Sequence, residues 1–208
     1  MKFRIAGFAL ISIFLITSCI PAAYRHLSRE TIPKTQRTEF PVIFPDTFTK
    51  AVYRTSLSFF GNSLSGISFI KKMPDSSYRV VFTNEMGIKF FDLAFCGKNF
   101  KVMYCMPKLN RKIVIKLLRN DLQMLFTDKF EGEKAEKYAD SVYRFRYKSN
   151  KNYYHLIGDE HQPTKIIFAR NAKVKVKTTI LYHDNFPEMF IFEHQQMKIS
   201  IKFQKMEL

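Results

Sequence analysis

From residue 52 to residue 206 most of the chain falls into short runs of alternating or densely apolar character, each ending at a turn-forming residue. A period of two marks strands with one buried and one wet face, and that pattern confines the chain to antiparallel sheet. Five runs come first, at 52–60, 64–72, 78–83, 88–95 and 100–106, with Gly61-Asn62, Pro74-Asp75-Ser76, Asn84 to Gly87 and Gly97-Lys98 between them. Six more follow, at 143–148, 153–158, 165–170, 174–183, 189–193 and 198–206. Alternation is clearest in Lys173-Val174-Lys175-Val176-Lys177 and in Lys198 to Phe203.

The rhythm breaks once. At 109–126 the residues Ile113, Val114, Leu117, Leu118, Leu122, Leu125 and Phe126 recur every three or four positions, with Lys112, Lys116, Arg119 and Gln123 on the other side. That spacing predicts one amphipathic helix, with Asn110 as its N-cap. Residues 127–142, of mixed charge around Gly132, read as a loop with room for a short helix. The predicted fold is therefore mainly β with one long helix. A single antiparallel sheet of about eleven strands must curl, giving a half-barrel around an apolar cavity with the helix as lid or plug. Twenty-two Phe and no Trp suit such a hollow and equally suit a filled core.

The N-terminus sets the compartment. Lys2 and Arg4 precede a short apolar stretch at 5–16, and Ile16-Thr17-Ser18-Cys19 closes it. A branched aliphatic, two small residues and Cys form a lipobox, so residues 1–18 are expected to be a lipoprotein signal peptide and Cys19 the lipid anchor. Two or more acyl chains hold stably where one holds marginally. Residues 19–45, with four prolines, read as a tether whose apolar end (Phe40, Val42, Ile43 and Phe44) docks on the domain. Residues 46–208 form that domain. The formal charge of +16 favours anionic partners, and with a lipid anchor these are lipid headgroups or acidic proteins rather than nucleic acid.

Cys96 and Cys105 are expected to be free, buried thiols. A turn at Gly97-Lys98 puts Cys105 about six residues, roughly 20 Å, along the strand from the partner of Cys96. The histidines (His26, His155, His161, His183 and His194) stand singly, without metal-ligand spacing. The stretch Gly61 to Gly66 has Ser65 where a nucleophile elbow requires Gly, and reads as a turn. No phosphate loop or paired carboxylates stand out, so the chain calls for no cofactor, metal or catalytic residue.

The hairpin at 78–95 is the most informative stretch. Pairing Thr83 with Ile88 places Tyr78, Val80 and Phe82 on one face with Phe91 and Leu93, and sets Arg79 opposite Asp92 on the other. It leaves Met86 at a turn, either folded back on its own sheet or aimed at lipid or a partner. The segment Tyr78 to Gly87 resembles the LolB branch of the LolA and LolB lipoprotein carrier family, in which Tyr-Arg, three apolar residues and Thr-Asn precede an exposed Leu and a Gly. The lipobox, the tether, the apolar run at 64–70 and Met197-Lys198-Ile199-Ser200-Ile201-Lys202 follow in the same order. Glu85 replaces a Pro of the receptor, the family's Trp residues are missing, and one helix stands where the family has more.

The resemblance implies an eleven-stranded half-barrel that holds the acyl chains of lipoproteins in transit. It implies a lipid-anchored receptor, monomeric and facing the periplasm at the outer membrane, that accepts lipoproteins from a soluble LolA-type carrier. Ile20, rather than Asp, after the lipidated Cys agrees with that location. Glu85, Met86 and Gly87 become the membrane or release loop, and Tyr78, Val80, Phe82, Phe91, Leu93, Leu117 and Leu118 the lining of the acyl cavity. The alternative is a non-enzymatic envelope lipoprotein that binds another lipid or a protein partner.

Overall fold

The computed structural model describes residues 29–30, 43–126, 134–138, 142–146, 152–158, 162–171 and 173–207. The first strands are β1 (Arg29–Glu30), β2 (Lys50–Phe59), β3 (Asn62–Lys72), β4 (Tyr78–Thr83), β5 (Lys89–Cys96) and β6 (Asn99–Cys105). Helix α1 (Lys112–Phe126) follows. The chain then continues through β7 (Lys134–Tyr138), β8 (Val142–Arg146), β9 (Asn152–Gly158), β10 (Pro163–Arg170), β11 (Lys173–His183), β12 (Phe186–His194) and β13 (Ile199–Lys205). All are antiparallel neighbours in one 13-stranded open sheet of order β1-β7-β8-β9-β10-β11-β12-β13-β2-β3-β4-β5-β6.

Among the described residues the fold is mainly β with one helix, as expected, and the eleven expected strands recur with ends shifted by at most three residues. The two additions are the short β1 and β7, the latter in the stretch expected to be a loop. Within the alternating runs, Tyr53, Leu57 and Phe59 on β2, Phe190 and Phe192 on β12, and Ile199, Ile201 and Phe203 on β13 all turn into one core.

The strand order explains where the helix goes. Strand β6 lies at one edge of the sheet and β7 beside the other, so the connection between them must cross the sheet. It crosses on the concave side. Asp121 reaches His194 on β12, and Gln123, two residues on, reaches the carbonyl of Gly97 at the β5–β6 turn. A flat sheet would hold those strands about 24 Å apart, five strand spacings. A helix with its side chains is only about 10–12 Å across, so the sheet curls around α1. Val114, Leu118, Leu122 and Leu125 are buried against it, and the helix is a plug.

Four local expectations are corrected. The helix begins at Lys112, and its first turn closes on the carbonyl of Arg111, which accepts from Ile115 N at 3.0 Å; Asn110 therefore stands one residue outside the cap. In the hairpin Thr83 pairs with Lys89, one residue beyond the expected register, and below a bulge between Phe82 and Thr83 the shift is two, with Phe82 opposite Phe91. A slip of two preserves faces, so the expected inward set still points inward. Arg79 accordingly lies opposite Ala94 and reaches Asp92 diagonally. The thiols are free but not buried, since Cys96 is exposed at a strand end and Cys105 is half-buried. Gly61 to Gly66 is a turn only at its start, because β3 begins at Asn62.

Candidate functional site

The tip between β4 and β5 is built by Asn84. Its N–H donates to the carbonyl of Ile88 at 2.9 Å, its carbonyl accepts from Gly87 N at 3.1 Å, and its side-chain Oδ1 accepts from Ile88 N at 2.7 Å. Gly87 has φ +82°, a conformation a β-carbon would oppose. With its backbone held in this way, Met86 is 87 % exposed and Ile88 61 %. Met86 does not fold back on its sheet. Ile88, expected inside the strand, belongs to the tip, because β5 begins one residue later. Glu85 is exposed beside them.

Below the tip, on the convex face, Arg79 grips Asp92 with two bonds of 2.8 Å and Lys89 adds a third at 3.0 Å. The Arg79 bond, opposed by burial, holds the Asp92 carboxyl below the ordinary carboxylate range. Gly66 on β3 allows the hairpin to approach, since a β-carbon there would land on the carbonyl oxygen of Thr83.

The seven residues expected to line an acyl cavity do come together. Val80, Phe82, Phe91, Leu93 and Leu118 are buried in one cluster, with Tyr78 and Leu117 packed at its margin. Tyr78 stacks on Phe126 with ring centroids 4.5 Å apart. In this arrangement the volume they enclose is occupied by α1 and by rings from the sheet. A separate surface hollow of about 510 Å³ lies between the β2–β3 turn and the β12–β13 loop. Ser58, Asn62, Ser63, Glu193, His194 and Lys198 are among the residues lining it, and none of the seven borders it.

The sequence reading missed a buried polar pair. Asp121 Oδ2 and His194 Nε2 are 2.8 Å apart, with side chains 3 % and 2 % exposed. Burial raises the Asp121 carboxyl, and the bond to His194 opposes that shift. Tyr154 on β9 is pushed up to about 12, by burial first and by the Asp121 charge second. The two partners are 73 residues apart in sequence, which hides the pairing. Half of it was visible all the same: Asp121 falls three residues after Leu118 and four before Leu125, inside the apolar stripe of the helix. Arg119 and Gln123 tie the same helix to the β5–β6 turn through the carbonyls of Lys98 and Gly97.

Cations surround the tip end. Met106 N donates to the carbonyl of Phe90 at 2.8 Å, which brings the start of α1 to the end of the sheet where the tip lies. Lys108, Arg111 and Lys112 are exposed there. At the opposite end Ile43 and Phe44, the described part of the apolar run expected to dock, are buried, Phe44 against Phe48 at 4.4 Å and near Phe126 at 5.9 Å. Cys19, Phe40, Val42, His26 and His161 lie outside the described residues. Among the described residues no group of three or more His, Cys, Asp or Glu is placed to hold a metal ion, and no helix is long and apolar enough to cross a membrane.

These features define a class, an open antiparallel half-barrel plugged by one amphipathic helix. No family model and no curated protein matches the chain. Among solved structures it is similar to a protein domain from Vibrio parahaemolyticus assigned to outer-membrane lipoprotein sorting. The identity is 13 %, the match covers 76 % of this chain and 83 % of that one, and the TM-score is 0.43. It is also similar to a DUF1329 family protein from Desulfovibrio piger, at 9 % identity over 78 % of this chain and 85 % of that one, with a TM-score of 0.41.

Proposed function

We propose that the protein is a lipid-anchored receptor that takes acyl chains of lipoproteins into its half-barrel and delivers them to the outer membrane from its periplasmic face. The observation that carries this is Met86, a large apolar side chain 87 % exposed on a backbone braced by Asn84 and Gly87. An apolar residue held out in water needs an apolar partner, and bilayer hydrocarbon is one. Cys19 supplies the anchor, and Glu85, Met86 and Gly87 the release loop. Lys108, Arg111 and Lys112 at the same end suit anionic headgroups.

Acyl chains enter when α1 lifts from the concave face, exchanging its contacts with Val80, Phe82, Phe91 and Leu93 for contacts with cargo. Tyr78 flanks the opening, while Leu117 and Leu118 travel with the helix. Each methylene moved from water into this volume contributes about 0.8 kcal/mol, so transfer down a series of better apolar sites needs no nucleotide and no covalent chemistry. The test is transfer in vitro from a soluble LolA-type carrier loaded with tagged lipoprotein. Uptake by this protein followed by passage to liposomes is expected; a folded receptor that takes nothing from an active donor would leave a different lipid, or an envelope protein, as ligand.

A further inference from the structure

The turn between β2 and β3 is a two-residue loop, because Phe59 pairs with Asn62 and only Phe60 and Gly61 lie between. Both have positive φ, 47° and 83°. A right-handed twist selects this turn, and Asn-Gly is the pair that forms it without strain. Here the first position holds Phe. The other non-glycine residues with positive φ among those described are Ser76, Asn171, Asp184 and Asn185, polar residues of which Asn and Asp most readily enter that region. Phe60 is the large apolar exception. It is also 44 % exposed, so the strain is not offset by burial in the core. Its backbone is held in place, with N–H donating to the carbonyl of Lys198 at 3.0 Å and the carbonyl accepting from Asn62 Nδ2 at 3.5 Å. Strain retained at an exposed position points to a use outside the fold.

The position supplies the use. Ile67 pairs with Thr83 at the base of the Met86 tip, and β3 runs on from there towards Asn62, so the Phe60 turn projects from the same end of the sheet as Met86 and Ile88. Lys198 adjoins Phe60, and Lys108, Arg111 and Lys112 belong to the same end, against Glu85 and Glu193, while Lys89 is held by Asp92. Apolar tips among an excess of cations fit an anionic phospholipid surface.

We infer that Phe60 is a second membrane-contacting tip, which enters the headgroup boundary beside Met86 and so sets the angle at which the half-barrel meets the bilayer. This rests on Met86 being a membrane tip. The chain has no Trp, so Phe60→Trp and Met86→Trp each introduce a single fluorescent reporter. The full chain carrying either is mixed with vesicles of phosphatidylethanolamine and phosphatidylglycerol, with and without brominated acyl chains. Both reporters are expected to shift to the blue and to lose most of their emission to the brominated lipid. Quenching at 86 without quenching at 60 overturns the second tip and leaves the first; no quenching at either overturns both. Quenching at 60 alone removes Met86 as a membrane tip and overturns the two-tip arrangement with it. Phe60→Asn, which relieves the turn, should raise the melting temperature by about 2 °C while weakening vesicle binding. A variant that binds vesicles as the parent does would return Phe60 to a turn residue without a membrane role.

Discussion

Asp121 and His194 join the plug to the sheet through a pair that the surrounding apolar core does not need. Replacing Asp121 by Leu leaves a ring nitrogen of His194 without its partner at 2 % exposure, which costs about 1–3 kcal/mol. Replacing His194 by Phe strands a carboxylate inside the core, and breaking a buried pair from that side costs about 3–5 kcal/mol. The double variant removes both polar groups and adds apolar contact with Leu118, Leu122 and Leu125, so it should fall within about 1 kcal/mol of the parent or exceed it. The coupling energy of the cycle is therefore expected to reach at least about 3 kcal/mol. Urea unfolding of the four proteins at pH 7 measures it. If the double variant loses the sum of the two single losses, the pair does not join α1 to β12 energetically.

Met86→Glu is expected to leave the unfolding midpoint within about 0.5 kcal/mol of the parent, as for other exposed sites, while reducing delivery of lipoprotein to liposomes; full delivery would remove Met86 from the mechanism. Gly66→Ala forces its β-carbon onto the carbonyl oxygen of Thr83 and within 2.9 Å of Asn84 Cα, so it should cost about 1–3 kcal/mol, the range for overpacking, and loosen hydrogen exchange in the β4–β5 tip. Asp92 has its folded pKa depressed by Arg79, so its stabilisation is present above the ordinary Asp value and is lost as pH falls through the folded one. Arg79 is 42 % exposed and solvent screens the pair, which limits the effect to about 1 kcal/mol. Asp92→Asn should flatten the acid limb of stability below about pH 4, and an unchanged limb in urea midpoints would refute the pairing. Asp121, raised by burial, contributes with the opposite sign: its term is fullest below the ordinary Asp value and falls as pH rises through the folded one.

The hairpin shows how much a strand pattern can establish. The expected register was off by two residues, yet Tyr78, Val80, Phe82, Phe91 and Leu93 all face the core. The period of a strand is two, so an error of two leaves each side chain on its face; the cross-strand partners all moved, and the long side chain of Arg79 still reached Asp92. The helix was legible for the same kind of reason, since its stripe follows from local spacing. Its start was less so, because Arg111 replaced Asn110 as cap through the turn at 106–110. Cys96 was misplaced because exposure at a strand end depends on what covers that edge.

What the sequence determined by itself was everything periodic: antiparallel strands, one amphipathic helix, the polar turns and the apolar residue at the 84–87 turn. These depend on neighbours within a few positions, where covalent geometry fixes which side chains share a face. Only the tertiary structure decided that β13 pairs with β2, which brings the C-terminal strands beside the first long one and forces α1 across the hollow. It decided likewise that Asp121 meets His194 and that the Phe60 turn shares an end with Met86. Such contacts join residues tens of positions apart, and they follow from closing the sheet around a helix rather than from any local preference.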